Sequence, residues 1–484
     1  MNGTDLAARL EPLMKLAAAR DAGSLIRLHE GLLFLRAFPP DRRTLRQAET
    51  LLAGIPDRVR RLRESGADMS AFEEPEVSGI AGTAFTAIFH YEVVRRLAEL
   101  ETGRVAIDWD CYELTDRLAG PWRRLFPLVE EDTMVEPHIP YLEWLSRAAG
   151  GLDRSLEFLL TRIESLDVSA KEKADLYDSL QLPVRWELES TPASRTVAGL
   201  RPRRVFYHKG SLIRRSEVVL EQELQAEPLE VEPLGEEGGQ AFLNMAVAAS
   251  AARYRELHGF TYGDPRSVLR AQAGRGVELY FCGVPAEWRL PLRAYHAAMI
   301  FKNGVPAGYF ETLSLFDRME VGFNLYYTFR EGETAWIFAR VLRLFSQLLG
   351  VASFSIDPYQ NAPDAIASSF WFYRKLGFRP VLPELVRVVA REECRLMRKP
   401  GYRSPAATLR RLAVAPLVFD TPGAAEGDWD RFSVRHVALA AQRSRPEEAA
   451  ARVATALGVK VGPHPEFLNF AMVLDQIPGL ADWP

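Results

Sequence analysis

Two apolar runs, Tyr295–Lys302 and Val305–Phe316, are separated by nothing but Asn303-Gly304. An Asn-Gly pair between apolar runs signals a tight antiparallel hairpin, because both residues tolerate the left-handed backbone such a turn needs. A chain with this feature must hold an antiparallel sheet near its middle, and the flanking segments then decide the fold class.

Before the hairpin come a helical pattern, Ala241–Leu257, and a strand candidate, Val277–Cys282. After it come a strand over Glu320–Phe329, an amphipathic helix over Glu333–Leu349, a strand-like run at Ala352–Ile356, a helix ending at Gly377 and a last strand from about Phe378 to Ala390. Antiparallel hairpins mixed with helices in this order define an α+β domain. Residues 4–165 read as almost wholly helical. Asp5–Arg20 sets Leu6, Leu10, Leu13, Met14 and Ala17 on one face. Further helices are expected over Ser24–Arg36, Asp41–Glu64, Ala84–Glu101 and Tyr112–Leu118, with Pro39-Pro40 as a break. Pro183–Glu189 and Arg204–His208 look like strands, and Gln225–Gln240, rich in Glu, Pro and Gly, reads as an acidic linker. The expected division is a helical domain over 1–182, a strand-containing connector and linker over 183–239, a mixed α/β domain over 240–400 and a helical extension over 401–484, broken at Thr421–Gly427. No fixed repeat period is present.

Composition narrows the function. Lys and Arg total 60 against 64 Asp and Glu, a net charge of −4, so nucleic acid is not an expected partner. The widely spaced Cys111, Cys282 and Cys394 form no disulfide framework, which fits a reducing cytoplasm. The amino-terminal residues carry no apolar core of a signal peptide, and no uninterrupted apolar run is long enough to span a membrane. No HExxH or close Cys/His set occurs, so no metal is expected. GxSxG, Walker and GxGxxG motifs are also absent. Arg201, Arg203, Arg204, Lys209, Arg214 and Arg215, interleaved with Phe206 and Tyr207, read first as a solvated strand face and second as a surface for RNA, nucleotide phosphates or an acidic partner. His29-Glu30 reads as a local polar contact rather than a catalytic dyad.

Asn361–Pro380, NAPDAIASSFWFYRKLGFRP, places a helix with an FY pair and a terminal glycine before a short strand. This segment resembles the carboxyl-terminal signature of the GNAT superfamily of N-acetyltransferases. The resemblance covers roughly residues 265–395. It takes in the 296–316 hairpin and the run VGFNLYYTFREGETAWIFARVLRLFSQLLG, which is similar to that family's fourth strand and cofactor-binding helix. The resemblance implies transfer of an acetyl or other acyl group from acyl-CoA to a small-molecule or peptide amine. The pyrophosphate would lie at the backbone of Gly332, Thr334 and Ala335, with Arg330 adding positive charge, because a helix amino terminus attracts anions. Tyr327 and Thr328 would present backbone N–H groups to the thioester. Asn361 would help hold the cofactor. Tyr373 would give the leaving thiolate a proton, and Glu311, Glu320 or water would take one from the amine. Tyr373 also fits a plain core aromatic. Phe329 stands where the family has Gln or Arg, Thr334 where it has Gly or Ala, and Glu331 and Glu333 flank the loop. These departures point to the alternative, a catalytically inactive GNAT-like binding or scaffold protein.

Overall fold

A computed structural model describes residues 3–16, 21–189, 191–290, 293–357, 363–421, 445–460 and 465–475. The chain is mixed α/β, with helices concentrated in its amino-terminal part. It opens with α1 (Gly3–Ala8), α2 (Leu10–Leu16), α3 (Ala22–Ala37), α4 (Arg42–Ala53) and α5 (Ile55–Glu64). Asp21 and Asp41 cap α3 and α4 by accepting from the N–H groups of Ser24 and Thr44, both at 2.8 Å.

The stretch read as the helix Ala84–Glu101 divides in two. Thr83–Ile88 is a strand, β1, and only Tyr91–Leu100 is helical, as α6. β1 pairs antiparallel with β3 (Pro183–Leu188), which also pairs with β2 (Val105–Ile107). Phe85 faces Trp186 in that register and packs on Tyr254. The strand state wins because its partner, a hundred residues away, buries one face of TAFTAI. Tyr112–Leu118 is likewise not one helix. Its last residues form a 3-10 turn, Thr115–Leu118, ahead of α7 (Ala119–Leu125). Then follow α8 (Leu128–Val135), α9 (Tyr141–Ala149), α10 (Ser155–Glu164) and α11 (Ala170–Leu180).

Arg204–His208 forms no strand ladder. It is an extended strap whose Phe206 N–H donates to Asn303 Oδ1 at 2.8 Å and whose His208 N–H donates to the Pro39 carbonyl at 2.8 Å. The expected linker is also structured. After α12 (Leu220–Gln225) it contributes an edge strand, β4 (Glu230–Pro233), and the start of α13 (Gly235–Ala251). The short α14 (His258–Thr261) follows.

β5 (Leu269–Gly274), β6 (Val277–Cys282), β7 (Ala294–Lys302), β8 (Val305–Leu315) and β9 (Arg318–Leu325) form an antiparallel meander. The Asn-Gly turn joins β7 to β8, with φ 47° at Asn303 and 78° at Gly304. From β9 the chain crosses through α15 (Thr334–Leu349) to β10 (Ser353–Ile356), which lies parallel to β9. α16 (Pro363–Arg374) leads to β11, which is only Arg379–Pro380. The expected strand Phe378–Ala390 is otherwise helix, α17 (Pro383–Arg398). Pro383 sits in its first turn, and Leu385, Val388, Val389 and Glu392 share its buried face at helical spacing. After α18 (Ala406–Leu412), part of the region read as helical supplies the missing strand, β12 (Leu417–Asp420), between β10 and β11. Among the described residues this sheet has nine strands, in the order β11-β12-β10-β9-β8-β7-β6-β5-β4. Helices α19 (Pro446–Leu457) and α20 (Pro465–Leu474) pack on each other.

One face of the sheet takes α15. Phe310 and Phe323 sit 5.9 and 5.2 Å from Phe338, and Phe281 sits 5.4 Å from Phe345. The other face takes α13, through Phe242 stacked on Tyr280. Each fully buried Phe contributes roughly 2–3 kcal/mol. One apolar cluster runs from Leu6 through Trp186 to Leu417 and joins helices to the sheet, while α2–α5 carry a second cluster of their own around Leu28, Leu32, Leu52 and Val59.

Candidate functional site

The site is built at the end of β9. Tyr326 donates its N–H to the Ala307 carbonyl at 3.0 Å, and Tyr327–Phe329 form one 3-10 turn. Gly332 N–H closes back on the Phe329 carbonyl at 2.9 Å, and Thr334 Oγ1 donates to the Arg330 carbonyl at 3.0 Å as α15 begins. β10 pairs with β9 only over Arg318–Glu320. Among the described residues, Val321–Leu325 therefore has no strand partner on that side. An open strand edge and a helix amino terminus thus lie at the same end of β9. Both are places where regular secondary structure leaves backbone groups without a ladder or helix partner.

Sequence reasoning brings Tyr327, Thr328, Arg330, Gly332, Thr334 and Ala335 together in this one turn. Three of them face the protein. Thr328 is buried and its hydroxyl donates to Glu30 of α3. Gly332 lies against Phe38: an added Cβ would come 2.4 Å from its Cζ. Ala335 is buried under the sheet. Arg330 and Tyr327 face solvent, with the guanidinium 5.6 Å over the Tyr327 ring and Nε donating to the Leu325 carbonyl. Asn361 lies outside the described residues.

The candidate acid and bases occupy opposite faces of the sheet. Tyr373 is buried 5.4 Å from Phe338, on the α15 face, and burial pushes its phenol well above the usual range. Glu311 follows Phe310 along β8, so its side chain leaves by the other face and accepts from the Tyr295 hydroxyl. Glu320, three residues before Phe323, shares that face and is buried. A reacting group between Tyr373 and the carboxylates would have to sit in the plane of the sheet, where β9 and β10 part.

Two charged clusters brace the turn; sequence reasoning missed the first and, of the second, singled out only the His29-Glu30 pair. In the first, Glu333 immediately precedes α15 and is fully buried. Its carboxylate takes Lys302 Nζ at 3.1 Å, the Arg275 guanidinium and the Ile213 N–H at 3.2 Å. Burial works against its ionisation, but Lys302 and Arg275 hold its pKa below the usual carboxylate range. Lys302 is pulled down to about 8 by burial, although Glu333 opposes that shift. His208 lies beside the pair with neither ring nitrogen partnered among the described residues, and burial lowers it to about 3.

The second cluster centres on Glu30. Burial opposes its ionisation, yet Arg195, with Nη2 2.9 Å from both oxygens, and the adjacent His29 bring it down to about 2. His29 Nε2 meets Thr196 Oγ1 at 3.0 Å. The His29-Glu30 pair is therefore a local polar contact, as expected, within a wider network. Arg253 lies 4.3 Å over the buried Tyr326 ring. A lysine at the tip of an apolar strand is the one sequence signal for the first cluster. The partners of Glu30 come from distant segments and leave no local trace.

Among the described residues, no group of three or more His, Cys, Asp or Glu could hold a metal ion, and no helix is long and apolar enough to cross a membrane. No protein-family model matches the chain, and neither does any curated protein or solved structure.

Proposed function

We propose that the chain transfers an acyl group from an acyl-CoA to an amine. The observation that carries this reading is the Val321–Leu325 edge of β9, without a strand partner on that side among the described residues, beside the amino terminus of α15. In this reading the pantetheine arm lies along that edge, hydrogen-bonding as a strand would. The pyrophosphate meets the N–H groups of Thr334 and Ala335, with Arg330 nearby. The amine nitrogen attacks the thioester carbon and the C–S bond breaks. The sulfur takes the Tyr373 proton from the α15 face. Glu311 or Glu320 takes the amine proton from the other face, through water. The segment order around this edge, a hairpin meander, a crossover helix, a parallel strand and the FYRKLGF helix, adds the GNAT resemblance to the argument.

A second reading, a GNAT-like binding or scaffold protein without catalysis, draws on a different observation. Glu333 is already buried at the start of α15, Phe38 covers Gly332, and Glu331 is 2.6 Å from Arg9. Calorimetry with acetyl-CoA and longer acyl-CoAs separates the two readings. Saturable binding that Arg330→Glu weakens about tenfold or more, the usual scale for one charge reversal beside a phosphate, supports acyl transfer. No heat with any acyl-CoA favours the scaffold.

A further inference from the structure

The strap Pro202–Lys209 forms one wall of a cleft of about 490 Å³. Gln272 and Glu278, from β5 and β6, and Arg275-Gly276, from the turn between them, form the other wall. Most charges lining it are already paired. Arg203 is held by Glu232 at 2.5 Å. Arg275 is held by Glu333, and Glu278 by Arg270. Arg204 and Lys209 are exposed and have no ion pair or side-chain hydrogen bond among the described residues. The cleft thus carries two uncompensated cations. Between them in sequence stands Tyr207, half-buried, with no side-chain hydrogen bond and no aromatic or cationic partner for its ring among the described residues. Gln272 spends its amide nitrogen on Glu278 Oε1 at 3.1 Å, which leaves its carbonyl oxygen to accept.

We propose that this cleft binds a mononucleotide. Arg204 and Lys209 take the phosphates, because charge-assisted contacts to phosphate oxygens are the strong ones. The Tyr207 ring stacks on the base, as aromatic side chains do at a nucleobase face. The Gln272 carbonyl accepts from an N–H on the base edge. The volume falls in the range of small-ligand pockets, roughly 300–1,000 Å³, and suits one nucleotide rather than an extended strand. This inference is independent of the acyl-transfer reading, because it uses none of the groups placed along β9.

The test is calorimetric titration of the full chain with ATP, GTP, inorganic triphosphate, a single-stranded RNA 12-mer and acetyl-CoA. Saturable binding of ATP or GTP is expected, with triphosphate about tenfold weaker, since it lacks the base that stacks on Tyr207. Tyr207→Ala lowers nucleotide affinity by a similar factor. The double variant R204E/K209E lowers it by about a hundredfold. All three positions are open to solvent or half-open, so the variants fold, which an unchanged thermal midpoint verifies. Any one of four results overturns the proposal: no nucleotide binding, triphosphate as tight as ATP, RNA far tighter than ATP, or affinity unchanged in R204E/K209E. Competition between ATP and acetyl-CoA overturns it as a separate site, because the cleft would then be the donor's own adenosine pocket.

Discussion

Lys302 and Glu333 meet inside the protein, ammonium to carboxylate at 3.1 Å, and neither side chain reaches solvent. They join the tip of β7 to the start of α15. The Lys302 ammonium also lies 4.6 Å over the Phe38 ring and donates to the Arg275 carbonyl at 2.6 Å. One lysine thereby ties α3, the β5–β6 turn and α15 together. Removing one member of a buried pair strands the other charge.

Lys302→Met is expected to cost about 3 kcal/mol, the low end for breaking a buried pair, because Arg275 still bonds the carboxylate. The double variant K302M/E333Q should recover less than half of that loss, because Arg275 then loses the carboxylate that holds it. Urea unfolding of the four proteins in the cycle measures this. Additive losses would mean that the two side chains act independently.

Burial depresses the pKa of His208 to about 3 and of His296 to about 4, and lowers that of His29. These rings stay neutral in the folded protein while the unfolded chain takes up protons below about pH 6.5. Stability should therefore fall on acidification from pH 6.5 to 5, by up to about 1.4 kcal/mol per unit for each such ring. His90, raised by Glu256, works the other way. His208→Phe should flatten the slope by one proton's worth, because the ring already packs among Phe38 and Phe206. An unfolding free energy constant from pH 7 to 5 would rule the argument out.

Gly332→Ala places a methyl group against Phe38, whose ring is stacked 4.8 Å from Phe34 and cannot withdraw freely. The expected cost is about 1–3 kcal/mol. Combined with Phe38→Leu, the loss should be smaller than the sum of the two single losses. Equal sums in thermal or urea unfolding would show that Phe38 is not the obstacle.

Tyr373→Phe keeps the ring in its aromatic cluster, so the unfolding midpoint should not move. If the hydroxyl protonates the leaving sulfur, turnover falls by about two to four orders of magnitude while acyl-CoA affinity holds. Polyamines, amino acids and short peptides form the acceptor panel. Unchanged turnover on any accepted amine would remove Tyr373 from the chemistry.

Local signals carried the middle of the chain well. The Asn303-Gly304 hairpin, the α15 periodicity and the β10 run all stand where residue patterns place them, because each is decided by neighbours a few positions away. β1 and β12 were hidden because their partners are distant: Thr83 pairs with Leu188 and Ser353 with Asp420. α17 was misread because VLPELVRVVA is apolar enough to suit either state, and Pro383 and the later buried Glu392 decide for helix. The turn at 327–335 could be assembled from consecutive residues. What packs against it could not, because Glu30, Phe38 and Lys302 arrive from elsewhere in the fold.

Asn303 gives this arrangement a cost in time. Its side-chain amide donates to the carbonyls of Ala37, 266 residues away, at 2.8 Å and of Phe206 at 3.0 Å, and accepts from the Phe206 N–H. The hairpin itself is local and closes within microseconds. The Asn303 N–H finds the Gly276 carbonyl within the meander, at 2.7 Å, but the side-chain amide has no partners until the first helices and the strap have docked. Synthesis delivers the amino-terminal partner first and the tip much later, so the helices must wait for the sheet. A fragment beginning at residue 240 would expose the polar tip of its own central hairpin and half of a shared core, and it should collect in inclusion bodies rather than fold alone.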